Sequence, residues 1–333
     1  MVLGSSAATM MDSGAPRSKG LASVYQLDSD GVWRNKFNRI GSYSNYGGTY
    51  IRYGQASAVG VLGTNRTFAV SKQVSVSCVN NGRCSGMVPA IQIFINSGTS
   101  TSWVEVQTIE LANWRTRGYT LRDYLSIKFN DFSSARNANF FMAVHIKDDI
   151  RDDFSSTLSD TILLYQNDVP GTAGSLWRNV ANWNYRFQSG RSYLPFSFSG
   201  DDILVVGIPE GVRSPWNESN TDDFAVSVCA QIKTYNLTSR TELQHLVLPD
   251  CVSSVSLHAN MQYLLVGGAG KVYVYNRTRA GSIFEAVDEL RYQHFDNIRS
   301  SGTLSFGSKV ALNDHGDIFV MSSNERFMNY EAG

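Results

Sequence analysis

Tyr263-Leu-Leu-Val-Gly-Gly-Ala-Gly-Lys-Val-Tyr-Val-Tyr-Asn276 holds two short apolar runs joined by glycine and alanine. Both runs are rich in β-branched and aromatic residues and bounded by turn residues, so strand is favoured over helix. The link leaves room only for a tight turn, which makes the pair an antiparallel hairpin.

The second run recurs. Ala-Ser-Val-Tyr-Gln-Leu-Asp stands at 22–28, Ile-Gln-Ile-Phe-Ile-Asn at 91–96, Ile-Leu-Leu-Tyr-Gln-Asn at 162–167 and Gln-Ile-Lys-Thr-Tyr-Asn at 231–236. Aligning Tyr25, Phe94, Tyr165, Tyr235 and Tyr275 gives steps of 69, 71, 70 and 40 residues. The first run recurs too, at Phe68, Phe141 and Ile203, with Val2-Leu-Gly-Ser in the same slot before Ala22 and Ile318-Phe-Val-Met-Ser closing the series. A further strand precedes each first run, starting near Tyr53, Tyr124, Tyr193, Val252 and Phe306. Another follows the aromatic turn, as at Arg34–Ile40, Val104–Leu111 and Glu242–Leu248. Four antiparallel strands per repeat is the plan of a β-propeller, in which each small sheet buries its faces against its neighbours. The expected fold is therefore all-β, a propeller of four-stranded antiparallel blades. The approximate repeats are 1–52, 53–123, 124–192, 193–251, 252–305 and 306–333.

The 40-residue repeat is compact because Gly267–Gly270 alone joins its second and third strands. In the longer repeats that connection is expected to be a loop, Ser71–Pro89 and Lys147–Asp160 being examples. Loops inserted at one connection gather on one face, where repeat proteins commonly bind.

Phe306-Gly-Ser-Lys-Val-Ala-Leu-Asn-Asp-His-Gly-Asp-Ile-Phe-Val-Met-Ser-Ser323 resembles the FG-GAP repeat of integrin α heads. Ser199-Gly-Asp-Asp-Ile-Leu-Val-Val-Gly-Ile-Pro-Glu-Gly211 resembles its second half, Gly268–Tyr275 the strand that follows, and Tyr53-Gly-Gln-Ala-Ser-Ala-Val its opening. The resemblance implies an extracellular adhesive or carbohydrate-binding propeller, typically seven-bladed. Many such repeats carry a calcium loop. The matching stretches here, Asn313–Asp317 and Gly200–Asp202, are too short to supply six to eight oxygens. The chain looks like the calcium-free variety, and no metal or cofactor is expected.

Composition agrees with strands and sets limits. The 333 residues are 42% hydrophobic and 17% charged with no net charge. A neutral chain lacks the basic field that phosphate binding requires, so nucleic acid is not expected as a partner. No apolar run reaches the ~18 residues of a membrane span, and the first residues do not form a signal peptide. Four cysteines stand as two local pairs, Cys78 with Cys84 around the Asn81-Gly82 turn, and Cys229 with Cys251. Disulfides there are expected to stabilise by roughly 2–3 kcal/mol each; the alternative is four reduced thiols. N-glycosylation sequons start at Asn65, Asn217, Asn236 and Asn276. Asn236 and Asn276 share one slot, just after the third-strand aromatic.

Catalytic patterns are weak. Gly267-Gly-Ala-Gly-Lys271 lacks the first glycine of a phosphate loop, and Val272 stands where a hydroxyl would hold magnesium. Asp28-Ser-Asp-Gly31 opens like a calcium loop but has Arg39 at the twelfth position, so a turn is expected. His145, His245, His258, His294 and His315 show no ligand spacing, and Lys147–Asp153, whose four carboxylates could bind a cation, is expected to be a solvated loop. Three functions remain: an extracellular structural or adhesive module that binds other proteins through the loop face, a glycan-binding lectin using Trp103, Trp114, Trp177, Trp183 or Trp216, and a propeller-type enzyme. The first is favoured. The register holds about five and a half blades, so further sequence on both sides, completing a six- or seven-bladed closure, is expected.

Overall fold

The structure is a computed structural model. It describes residues 2–5, 9–12, 15–18, 21–40, 56–62, 65–75, 87–96, 102–111, 125–130, 140–148, 158–167, 176–187, 194–200, 203–208, 212–213, 230–248, 256–260, 262–268, 271–279, 282–291, 307, 309–312 and 317–321. Among these there is no helix, and every regular element is a strand. The chain forms two compact units, Met1–Tyr185 and Arg186–Gly333.

In the first unit, β1 (Val2–Ser5) is followed by a small hairpin of β2 (Thr9–Asp12) and β3 (Ala15–Ser18), then β4 (Leu21–Leu27) and β5 (Trp33–Ile40). β1, β4 and β5 make a three-stranded first blade. The second blade is β6 (Ser57–Leu62), β7 (Asn65–Ser75), β8 (Met87–Asn96) and β9 (Val104–Glu110). The third is β10 (Leu125–Phe129), β11 (Phe140–Asp148), β12 (Leu158–Asn167) and β13 (Trp177–Phe187). In the second unit, the fourth blade comprises β14 (Phe196–Ser199), β15 (Ile203–Ile208), β17 (Gln231–Asn236) and β18 (Glu242–Val247). The short β16 (Val212–Arg213) pairs with Arg186 and Phe187. The fifth blade is β19 (Ser256–Ala259), β20 (Tyr263–Gly268), β21 (Lys271–Asn276) and β22 (Glu285–Arg291), and β23 (Lys309–Leu312) pairs with β24 (Ile318–Met321). The described residues thus hold four blades with all four strands. Among the described residues the first blade shows three strands and the last pair two.

Burial falls from the middle strands outward. All six residues of β15 are buried, whereas β18 reads exposed and half-buried in turn. A strand sandwiched between blades must be apolar on both faces, while the fourth strand meets solvent along its edge. Each interblade core is a separate cluster. Ala22, Val24, Phe68 and Phe94 join the first and second blades, with Phe37 and Trp103 against them. Ala69, Ile91, Ile93, Phe140, Met142 and Trp177 lie between the second and third. Ile203, Ile232, Leu264, Tyr273, Tyr275 and Phe284 lie between the fourth and fifth.

The aligned aromatics mark a shared irregularity. The third-to-fourth strand ladder slips between Val24 and Tyr25, Ile93 and Phe94, Thr234 and Tyr235, and Val274 and Tyr275. A bulge at one register in four sheets is independent evidence that they are copies of one unit. Blades of this kind, stacked face to face, are β-propeller blades.

Two glycines explain turn positions. Gly31 closes the Asp28–Gly31 turn at φ 77° with its amide donating to Asp28 O at 3.0 Å. Gly307, the glycine of the Phe306-Gly pair, sits at φ 79°, and a Cβ there would lie 2.6 Å from Lys271 O and 3.0 Å from Val272 Cγ2. Gly307→Ala is therefore expected to cost about 2–3 kcal/mol, combining left-handed strain and overpacking. Gly31→Ala should cost only about 1 kcal/mol, since nothing lies within 4 Å of the added carbon. Urea melts of the two variants separate the terms: equal losses would show that the backbone approach at Gly307 does not matter.

Candidate functional site

The second and third strands do not simply end in loops. The β7–β8 ladder continues through Ser71↔Ile91 and Lys72↔Ala90 to Ser75↔Met87. β6 stops at Val70 and β9 at Ala90, so the last stretch is a two-stranded arm clear of its own blade. The β11–β12 ladder likewise runs to Asp148↔Ser159, past β10. The expected loops Ser71–Pro89 and Lys147–Asp160 are thus corrected at their ends, where Gln73–Ser75 pairs with Met87–Pro89 and Lys147–Asp148 with Ser159–Asp160. The fifth-blade ladder ends at Gly268↔Lys271, the tight hairpin expected there.

Beneath the β11–β12 arm, His145 Nε2 and Asp160 Oδ2 are 2.8 Å apart, both side chains wholly buried. Asp160 Oδ1 is buried with no hydrogen-bond partner among the described residues. The couple is a buried polar contact between β11 and β12. Next to it Thr161 Oγ1 donates to Asn184 Oδ1 at 2.7 Å. On β10, burial pushes the Lys128 ammonium down to about 8. A lysine whose folded value lies below its unfolded one, near 10.4, destabilises the fold fully below pH 8, less between 8 and 10.4, and not above. Lys128→Met is therefore expected to raise stability by about 1–2 kcal/mol at pH 7, a gain that disappears by pH 10.5. A gain independent of pH would refute this.

A second recurring device binds blade to blade. Gln107 Nε2 donates to Trp177 O at 3.2 Å while its Oε1 accepts from Trp177 N at 2.8 Å. Gln244 does the same to Phe284, at 2.7 and 2.8 Å. Each glutamine lies on a fourth strand, opposite the residue before the third-strand aromatic. Each clasps the residue that heads the next blade's fourth strand. Within single blades a further pairing repeats: Gln92 Nε2 donates to Glu105 Oε2 at 2.6 Å, and Lys233 Nζ to Glu242 Oε2 at 2.8 Å, both two residues before the aromatic. Lys233 also helps burial hold the His245 imidazolium below its usual value. Between the fourth and fifth blades, buried Arg277 donates to Ser199 O at 3.0 Å and lies over the Phe284 ring at 5.3 Å.

Of the residues singled out from sequence, Cys78, Cys84, Cys229, Cys251, Asn217, Trp114 and Trp216 lie outside the described residues. Asn65 opens β7. Asn236 and Asn276 occupy equivalent places, paired with Ile203 and Tyr263. Asn96 and Asn167 stand one residue further past their aromatics and are buried, whereas Asn236 and Asn276 are half-buried with Thr238 and Thr278 exposed. Asn236 Oδ1 accepts from Thr238 N and Ser239 N at 2.9 and 2.7 Å. Trp177 and Trp183 are buried in the blades, which removes them as stacking platforms for sugars. The two clasping glutamines were not anticipated.

No family model matches the chain, and no curated protein matches it. Among solved structures it is similar to one described as the structure of U3-55K, at 9% identity and TM-score 0.34, over 91% of this chain and 84% of that one. It is similar to a chain of the crystal structure of the mitotic checkpoint complex, at 10% and 0.29, over 91% and 80%. Saccharomyces cerevisiae Sqt1 matches at 10% and 0.26, over 92% of each chain. Nothing about function passes from these likenesses.

Proposed function

We propose that the chain is a non-catalytic, extracellular β-propeller module of the FG-GAP kind that binds other proteins through the end of its blades where second and third strands turn. The observation that carries this is the β7–β8 arm, extended past both neighbouring strands to Ser75↔Met87. A paired arm is preorganised, so less conformational entropy is lost when a partner closes on it. The propeller's buried polar groups are enclosed in blade cores, which leaves the arms as the natural contact region.

Amine cross-linking of native material, followed by peptide mapping, tests this. Intermolecular adducts are expected at Lys72 and Lys147, on the two arms. Adducts confined to lysines elsewhere, such as Lys36 or Lys309, would refute the binding face. The extracellular assignment has its own check. Intact mass should reveal sugar on at least two of the four sequons, with Asn236 and Asn276 first, and non-reducing mapping should join Cys78 to Cys84 and Cys229 to Cys251. Native protein without glycan would overturn it.

A further inference from the structure

β19 turns its side chains alternately to two cores. Leu257 and Ala259 lie in the core shared with the fourth blade. His258 stands between them, so its side chain lies on the opposite face. It is paired with Leu265, which belongs to the other core of the fifth blade together with Val272, Val274 and Leu312. That second core is where β23 meets the blade. Leu312 is buried in it and Val310 packs against it. Gly307, just before β23, fits closely against Lys271 O and Val272 at the β20–β21 turn.

Across this seam the backbone of β23 is tied to the blade by a side chain. Leu312 N donates to His258 Nδ1 at 3.2 Å. Among the described residues the ladder of β23 runs to β24 alone, so the tie to β19 is the imidazole rather than a further strand pairing. An imidazole accepts at Nδ1 only while it is neutral, with its proton on Nε2. Protonation places a hydrogen on both ring nitrogens, and the Leu312 amide then faces a donor.

We propose that His258 is an acid-sensitive latch: neutral, it holds β23 on the fifth blade, and protonated, it lets β23 move off the surface made by Leu265, Val272 and Val274. The bond is present above the ordinary histidine value of about 6.5 and is lost as pH falls through the imidazole's titration. The fourth-blade strands packed on β19, β14 and β15, carry no titratable side chain. On the seam side β20 supplies Tyr263 and β23 the exposed Lys309. Asp288 of β22 shares the His258 face through the Leu265↔Val274 and Val274↔Asp288 pairs, and Asp317 precedes β24. Tyrosine, lysine and aspartate ordinarily titrate well outside the histidine range, so among the described groups of the seam the latch belongs to His258.

Hydrogen exchange of the whole chain, read by mass spectrometry at about pH 7.5 and about pH 5 and expressed as protection relative to the unfolded chain, tests this. Protection over residues 309–312 should fall about tenfold at the lower pH while that of β15 holds, the loss expected when an amide gives up its acceptor. His258→Asn places an amide oxygen near the Nδ1 position and has nothing to titrate, so it should keep its protection at both pH values. His258→Leu should lack that protection at both. Four results overturn the proposal. Protection over 309–312 in the parent chain does not change with pH; it falls equally in His258→Asn, which would assign the transition to another group; it falls equally in β15, which would mean acid unfolding of the whole unit; or His258→Leu keeps full protection at the higher pH, which would show that the bond does not hold β23.

Discussion

Asp160→Leu is expected to destabilise the chain by about 3–5 kcal/mol, the largest loss from any single substitution considered for the third blade. His145 and Asp160 are wholly buried and 2.8 Å apart. Removing one member takes from the other a hydrogen bond that water cannot replace there. The cost comes from the buried polar group left behind rather than from the worth of the pair, so the double variant His145→Leu/Asp160→Leu should recover much of the loss. Replacing both partners of a buried polar couple with apolar groups is often nearly neutral. Urea unfolding of the two single variants and the double variant completes a cycle. Losses that simply add would show that the two side chains act independently. Because the couple lies where β11 and β12 leave their blade, Asp160→Leu should also raise hydrogen exchange at Lys147 and Asp148 more than at Phe141.

The repeat was legible because its marker is a side chain that packs the core. Tyr25, Phe94, Tyr235 and Tyr275 each sit at a ladder bulge, and a position that tolerates few residues leaves a trace in the sequence. Strand limits were less legible. β6 starts at Ser57 rather than at Tyr53, and β14 at Phe196 rather than at Tyr193. First strands are short, and their apolar character continues into the preceding segment. The arms were misread as loops because Ser71-Lys-Gln-Val-Ser and Met87-Val-Pro are polar or proline-containing. Their pairing is a backbone ladder, which a polar or proline-containing segment can form without an apolar alternation to announce it. The clasps escaped notice for a different reason. Glutamine is ordinarily a surface residue, and the spacing from the third-strand aromatic is thirteen residues for Gln107 but nine for Gln244. Turn length scrambles that count. Only the ladder shows that both stand opposite the residue before the third-strand aromatic, Ile93 and Thr234.

Gln244 supplies the second large expectation. Gln244→Met keeps the side chain's length and apolar stem but leaves Phe284 N–H and C=O without their partners. Two backbone groups at about 1–3 kcal/mol each put the loss at about 2–6 kcal/mol, nearer the lower figure to the extent that water reaches the edge. Gln244→Glu separates hydrogen bonding from packing. A carboxylate still accepts from Phe284 N–H but turns a second lone-pair oxygen toward Phe284 O, so the ionised variant should be at least as unstable as the methionine one. Protonation restores a donor. The folded state therefore prefers the neutral acid, and the carboxyl introduced by Gln244→Glu should titrate above the ordinary value of about 4.3 for a free glutamate. The sign follows. A folded value above the unfolded one gives stability that is fully present below about pH 4.3 and is lost as pH rises through the folded value. Measured against the parent chain across pH 3.5–7, Gln244→Glu should thus close most of its deficit on acidification, whereas Gln244→Met, with nothing to titrate, should hold a constant one. Parallel pH profiles for the two variants would show that Gln244 only fills space between the blades.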